Sequence, residues 1–240
     1  MPKIAIWTFT LALCGSLSSC QHYEVNGDQV YYTYVNEGAG HNRRVVDSAH
    51  ARSFVELPYP AYGKDDRHVY YQGRVLREAD PASFVAIGAF FGKDHNAGFY
   101  AGQMIRTARG NGFKRLGGNY SADDRDVFYM TEPLHVCSVT RFRIRAENHG
   151  WWAQDGCGYF FEGKRVPAAD PQTFQILGDT PFAKDRRHVF FGARRLDYDR
   201  RGRRRVDTLD AASFQPVNYF VGRDKFGCID SQKGRVPCRN

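Results

Sequence analysis

Carboxylates, histidines, cysteines and clustered guanidinium groups are the side chains here that could do chemistry, and their spacing decides what kind. Lys64-Asp65, Lys93-Asp94 and Lys184-Asp185 repeat a Lys-Asp pair, with Asp123 and Asp155 in the same frame. An array of carboxylates could hold a cation, but Ca²⁺ needs several oxygen ligands converging within one loop. No loop carries Asp-x-Asp-x-Asp-Gly. Each aspartate is therefore expected to cap a hairpin turn by accepting backbone N–H groups, and each lysine to be solvated. Of eight histidines, His68 and His188 fall in the same frame, as scaffold positions do and a unique catalytic residue does not. Serine nucleophile elbows, glycine-rich phosphate loops and zinc-ligand spacings are absent. The sequence thus predicts no catalytic residue, no metal and no cofactor.

Two features remain as binding candidates. Trp152 of the Trp151-Trp152 pair occupies an aromatic slot of the repeat described below and is expected in the core, which leaves Trp151 as an exposed aromatic anchor. Arg200-Arg201-Gly202-Arg203-Arg204-Arg205 sets five arginines within six residues. They repel one another and exceed what the flanking Asp197, Asp199 and Asp207 can pair. Arg200, Arg201, Arg203, Arg204 and Arg205 are expected on an exposed loop, either solvated or in bidentate contact with anionic head groups or an acidic partner.

The elements that position these groups come from a repeat. Tyr62-Gly63-Lys64-Asp65-Asp66-Arg67-His68-Val69-Tyr70-Tyr71 and Phe182-Ala183-Lys184-Asp185-Arg186-Arg187-His188-Val189-Phe190-Phe191 share Lys-Asp, Arg-His-Val and three aromatic positions. The frame recurs at Phe91-Gly92-Lys93-Asp94 leading to Phe99-Tyr100, at Tyr120 and Asp123 leading to Val127-Phe128-Tyr129, and at Trp152 and Asp155 leading to Tyr159-Phe160-Phe161. Weaker copies stand at Asn26 with Val30-Tyr31-Tyr32 and at Arg223-Asp224. Positions 26, 65, 94, 123, 155, 185 and 224 are 39, 29, 29, 32, 30 and 39 residues apart. About seven units follow, approximately 23–58, 59–88, 89–117, 118–149, 150–179, 180–216 and 217–240, with degenerate ends.

Within a unit, runs such as Val69-Tyr70-Tyr71 are strand material, and Gln72-Gly73, Glu162-Gly163 and Asp65-Asp66-Arg67 are turns. Ala79-Asp80-Pro81-Ala82-Ser83-Phe84 matches Ala169-Asp170-Pro171-Gln172-Thr173-Phe174 and, less fully, Leu209-Asp210-Ala211-Ala212-Ser213-Phe214. Asp before Pro reads as an N-cap followed by Pro at the first helical position, so a capped helical turn is expected once per unit. Adjacent aromatics in a strand point to opposite faces, so Tyr70 and Tyr71 are expected to be packed on both sides by neighbouring repeats. A unit of this size cannot bury its own aromatics. The fold class is mainly β: repeats of short antiparallel strands with a capped helical turn per unit, in a solenoid-like array or, alternatively, a closed propeller-like arrangement.

The frame Lys-Asp-x-x-x-Val-Tyr-Tyr, followed by a glycine turn and Ala-Asp-Pro-x-x-Phe, resembles the DKNYY family of bacterial envelope proteins from about Tyr23 to the C-terminus. Asp66-Arg67 and Arg186-Arg187 stand where Lys-Asn would be, and Phe often replaces Tyr, departures that a polar turn tolerates. The resemblance implies an envelope protein, often a lipoprotein, and brings no catalytic residue with it.

The first residues fit that compartment. Lys3 and the run Ile4 to Leu13, interrupted by Thr8 and Thr10, match a secretory signal and are too short to span a bilayer. Leu17-Ser18-Ser19-Cys20 resembles the lipobox of bacterial lipoproteins. That implies a signal peptide of residues 1–19, a lipidated Cys20, and a membrane partner held through acyl chains, at about 0.8 kcal/mol per buried CH₂. Gln21 rather than aspartate follows, which implies the outer membrane with the repeats facing the periplasm. The chain has 34 Lys and Arg against 26 Asp and Glu, and only Lys3 lies within residues 1–19, so the exported part carries a formal charge of +7. Such a balance suits an acidic envelope partner or anionic head groups, and nucleic acid is not expected in that compartment. The expected function is a non-enzymatic envelope lipoprotein acting as a binding or scaffold module. The alternative is an envelope hydrolase acting on glycan or peptide through carboxylates of a divergent repeat, which needs a deep pocket holding two carboxylates from different units.

An oxidising compartment should join Cys137, Cys157, Cys228 and Cys238. With Cys137 as a partner, Gly156-Cys157-Gly158 is not a nucleophile setting. Four cysteines allow three pairings. Because units of an array touch mainly their neighbours, Cys137 is expected with Cys157 and Cys228 with Cys238, each bridge worth about 3 kcal/mol on the chain-entropy account.

Overall fold

In the computed structural model the described residues form seven antiparallel sheets, none closed on itself. The structure describes residues 21–36, 38, 40–145, 149–167, 169–197 and 209–238. The first sheet has three strands, His22–Asn26, Gln29–Asn36 and Gly40–Val45. Six four-stranded sheets follow in chain order. The second consists of Val55–Glu56, Tyr62–Lys64, Val69–Tyr71 and Arg74–Leu76. The third opens at Val85–Ala86, the fourth at Lys114–Gly117, the fifth at Arg143–Ile144, the sixth at Gln175–Ile176 and the seventh at Gln215–Pro216. The chain divides into two compact units, one running through His95 and including Phe99–Met104, the other comprising Asn96–Gly98 and everything from Ile105.

The central hairpin of each sheet explains the aromatic spacing. Tyr62 pairs with Tyr71, Gly63 with Tyr70 and Lys64 with Val69. Phe182, Ala183 and Lys184 pair identically with Phe191, Phe190 and Val189. The first aromatic of the frame therefore lies directly across from the last, with ring centroids 4.8 Å apart for Tyr62–Tyr71, 4.9 Å for Tyr120–Tyr129, 4.9 Å for Trp152–Phe161 and 5.0 Å for Phe182–Phe191. Tyr70 and Tyr71 are both buried, so both faces of this strand are packed.

No helix occurs among the described residues, which corrects the expected capped helical turn. The side chain of Asp80 accepts the N–H groups of Ala82 and Ser83 as a cap would, and the Phe84 N–H donates to the Asp80 carbonyl at 3.0 Å. That single turn is not propagated, because Val85 enters a strand at once. One hydrogen bond does not repay helix nucleation. The turn instead delivers Phe84 onto Gly92 of the following strand, and a Cβ at Gly92 would overlap the Phe84 ring. The same slot holds Gly63 under Phe54 and Gly222 under Phe214, which accounts for the small residues next to the first aromatic of the frame.

Neighbouring sheets close each other's cores. Phe84 packs on Tyr62 of the preceding sheet at 5.5 Å and on Phe99 of its own at 5.6 Å. In the second unit Phe174 lies 5.7 Å from Trp152 and 5.5 Å from Phe190. The lysines of the frame are not simply solvated, contrary to expectation. Lys64 Nζ donates to the carbonyls of Pro81 and Phe84, and Lys184 Nζ to those of Ala212 and Phe214. Each capped turn leaves carbonyls without intra-turn donors, and the ammonium of the preceding sheet satisfies them.

Candidate functional site

The repeated carboxylates are the obvious place to look for chemistry. Asp65, Asp94, Asp123, Asp155, Asp185 and Asp224 are all buried. One oxygen of Asp185 accepts the N–H groups of Arg187 and His188 at 2.7 and 2.6 Å, and the other accepts that of Asp170 at 3.0 Å. Asp123 does the same with Arg125, Asp126 and Arg109, and Asp65 with Arg67, His68 and His50. So one oxygen caps the aspartate's own hairpin, while the other ties down a segment 14 to 18 residues upstream. Burial alone would raise the carboxyls of Asp65, Asp155, Asp185 and Asp224, but the convergent donors outweigh it and hold all four below the ordinary carboxylate range. Such groups are poor proton donors and have their lone pairs occupied. A second relay braces the first, because Ser83, Thr173 and Ser213 hydroxyls accept the N–H groups of His95, Arg186 and Lys225.

Cys137 and Cys157 are joined, as are Cys228 and Cys238, closing 20 and 10 residues of sequence. The Cys137 and Cys157 N–H groups both donate to Asp155, at 3.0 and 2.9 Å. The first disulfide therefore locks covalently the same junction that the aspartate holds by hydrogen bonds. Cys137, Asp155 and Cys157 lie close enough together to suggest metal ligands, but the two sulfurs are bonded to each other and Asp155 is saturated, its second oxygen also taking Arg165 Nη2 at 2.7 Å. His188 Nδ1 lies 3.3 Å from Asp185 Oδ2, part of the same brace.

Trp152 is fully buried and Trp151 is half-buried. Trp151 stands among His149 at 4.9 Å, Tyr219 at 5.7 Å and Phe161 at 6.4 Å, and Tyr219 in turn contacts Phe220 at 4.7 Å. Tyr219 and Phe220 are exposed, so Trp151 borders an aromatic patch rather than acting alone. The five arginines Arg200, Arg201, Arg203, Arg204 and Arg205 lie outside the described residues.

A groove within the first unit brings binding groups together from three successive sheets. Its volume is about 600 Å³, inside the roughly 300–1,000 Å³ range of small-molecule sites. Tyr32, Tyr34 and Tyr71 supply aromatic walls, Arg44 and Arg74 supply charge, and Gln21, Gln72 and Gln103 supply amides. No carboxylate lines it among the described residues. Alternation along Gln29–Asn36 puts Tyr32 and Tyr34 on one face, with rings 6.0 Å apart and nearly parallel. The hairpin register sets Arg44 opposite Tyr32, and its guanidinium carbon lies 5.5 and 5.7 Å from the two ring centroids. Tyr32 is buried and its hydroxyl donates to Gln21 Oε1 at 2.8 Å, while Tyr34 keeps part of its ring open. Gly73, at φ 68°, permits the close approach of this hairpin, since a Cβ there would lie 2.8 Å from Tyr32 Cβ and 3.1 Å from Arg44 Nε. A groove of this composition can stack a flat apolar surface, hydrogen-bond neutral polar groups and neutralise an anion.

A comparable hollow in the second unit, about 530 Å³, is bordered by Arg145, Tyr159 and, among the described residues, a single carboxylate, Asp179. Among the described residues, neither hollow presents the carboxylate pair that a glycan or peptide hydrolase would use. Sequence reasoning missed the first-unit groove because Tyr32, Tyr71 and Gln103 belong to different repeats. The available signal was the Val30-x-Tyr32-x-Tyr34 alternation, which marks two aromatics on one face.

The family model of the DKNYY family matches residues 10–132. No curated protein and no solved structure matches the chain. The four-stranded pattern and its buried aspartates continue beyond that match, through Asp155, Asp185 and Asp224.

Proposed function

The chain belongs to the DKNYY family, and from that premise we propose that it is a non-enzymatic binding or scaffold module of the cell envelope, anchored by lipid on Cys20 after removal of residues 1–19. The repeats form a solenoid-like array on the periplasmic side of the outer membrane and hold an envelope component. The single observation that carries this reading is the consumption of the repeated carboxylates. The aspartates that could have served as acids, bases or cation ligands are buried and spent on backbone N–H groups. In the groove of the first unit, the described lining is aromatic, amide, cationic and aliphatic. The disulfides support an oxidising compartment, and sheet-to-next-sheet links through Lys64 and Lys184 support a linear arrangement. Affinity capture of the full chain from solubilised envelopes should return a specific component, and deletion should weaken the envelope against detergent. Capture of nothing, together with an unaltered envelope after deletion, would count against the reading, as would inner-membrane fractionation against its placement.

A further inference from the structure

The groove of the first unit has one feature that packing does not explain. Arg44 Nε is buried with no hydrogen-bond partner, and neither Arg44 nor Arg74 has a carboxylate partner among the described residues. Arg44 is half-buried, its guanidinium stands over two tyrosine rings, and its stranded Nε lacks the acceptor that an anion arriving from outside would supply. Around it, the half-open Tyr34 ring and the floor made by Tyr32 and Tyr71 present aromatic surface, and three glutamine side chains each offer both a donor and an acceptor.

We propose that this groove binds a saccharide carrying an anionic group, carboxylate or phosphate. An apolar pyranose face rests on Tyr34, sugar hydroxyl or acetamido groups pair with Gln21, Gln72 and Gln103, and the anion is taken by the guanidinium groups of Arg44 and Arg74. The inference rests on the reading of the chain as a binding module and adds the class of ligand. A saccharide fits better than a nucleic acid, whose affinity depends on a run of phosphate contacts, because among the described residues only two arginines line the groove. Gln21 directly follows Cys20, so under the proposed lipidation the groove sits next to the anchor. The sugar can then belong to a glycolipid head group or to a wall glycan.

Titration calorimetry on the full chain tests this with five probes: the disaccharide of N-acetylglucosamine and N-acetylmuramic acid, glucosamine 1-phosphate, neutral diacetylchitobiose, inorganic phosphate and an oligothymidylate. At least one charged sugar should bind ten-fold or more tightly than diacetylchitobiose and than phosphate alone. Preference for the muramic disaccharide identifies a wall glycan, and preference for glucosamine 1-phosphate a head group. Arg74→Gln, at an exposed position that should not disturb folding, and Arg44→Gln should each weaken binding about ten-fold, while Arg143→Gln in the other unit should leave it unchanged. The proposal is overturned if no charged sugar exceeds diacetylchitobiose, if phosphate alone or the oligothymidylate binds as tightly as either charged sugar, or if folded Arg74→Gln binds like the parent chain. In any of those cases, an envelope component still captured by the chain would leave the binding-module reading standing with its site elsewhere.

Discussion

Asp185→Asn exchanges one oxygen for an NH₂ group and removes one charge, at a side chain that is 3% exposed and takes three backbone N–H groups. The amide oxygen can keep Arg187 and His188, but its NH₂ then faces the Asp170 N–H donor to donor. Losing a hydrogen bond to a charged acceptor costs about 1.5–3 kcal/mol, and stranding a buried N–H about 1–3 kcal/mol, with overlap between the two. The expected destabilisation is about 3 kcal/mol, and Asp185→Ala, which strands all three donors, should cost about 4 kcal/mol. Glu162→Gln, on an exposed turn, should stay within about 0.5 kcal/mol. Urea unfolding followed by tryptophan fluorescence reads the second unit through Trp151 and Trp152. Amide exchange at Asp170, Arg187 and His188 localises the loss, which matters because repeat arrays can open in parts. An Asp185→Asn chain within about 0.5 kcal/mol of the parent, with unchanged exchange at Asp170, would refute the structural role given to these carboxylates.

Other perturbations probe neighbouring links. Asp65, Asp155, Asp185 and Asp224 have folded pKa values below their unfolded ones, so their stabilisation is complete above the unfolded value and lost as pH falls through the folded values. The urea midpoint should therefore hold between about pH 7 and 5 and drop below about pH 4; a drop beginning near pH 6.5 would implicate histidines instead. Gly92→Ala forces Phe84 to shift and should cost about 1–3 kcal/mol in the same assay, whereas Gly38→Ala, whose Cβ would meet its nearest neighbour at 3.9 Å, should be nearly neutral. Changing Cys228 and Cys238 together to serine opens the closing loop of the seventh sheet and should lower its stability by about 3 kcal/mol, seen as faster exchange of the Cys228 to Val236 pairing. Replacing the arginines at 200, 201, 203, 204 and 205 by serine should weaken vesicle association in low salt if they meet anionic head groups, and unchanged association would leave them merely solvated.

Short-range chemistry was legible in the sequence, and long-range chemistry was not. Asp65-Asp66-Arg67-His68 sets a carboxylate two and three residues before the donors it caps, a local pattern that the repeat spacing displays directly. The cysteines join within neighbouring stretches of chain because closing 10 or 20 residues needs no distant encounter. The second oxygen of each aspartate reaches a backbone N–H that leaves no trace in residue type, since any residue can donate it: His50, Arg109, Cys137 and Asp170 all do. Lys64 looked solvated for the same reason, its acceptors being carbonyls. The Asp-Pro motif predicts a capped helical turn, but the Asp80 side chain caps only a non-helical turn, and strand entry at Val85 overrides helix growth. The groove escaped notice because each tyrosine in it also reads as core, and only the register that sets Arg44 across from Tyr32 shows otherwise.

Crosslinking from inside the groove of the first unit, in living cells, tests most directly whether a ligand of the binding module occupies it. A photoreactive phenylalanine analogue at position 34, with parallel probes in place of Trp151 and of the exposed Val217 of the second unit, should give on irradiation an envelope adduct from position 34 that is sensitive to a glycan-cleaving enzyme and lost when Arg44 and Arg74 are both changed to glutamine. Absence of an adduct from position 34, in cells where the chain is folded and abundant, would contradict that occupancy, whatever positions 151 and 217 capture.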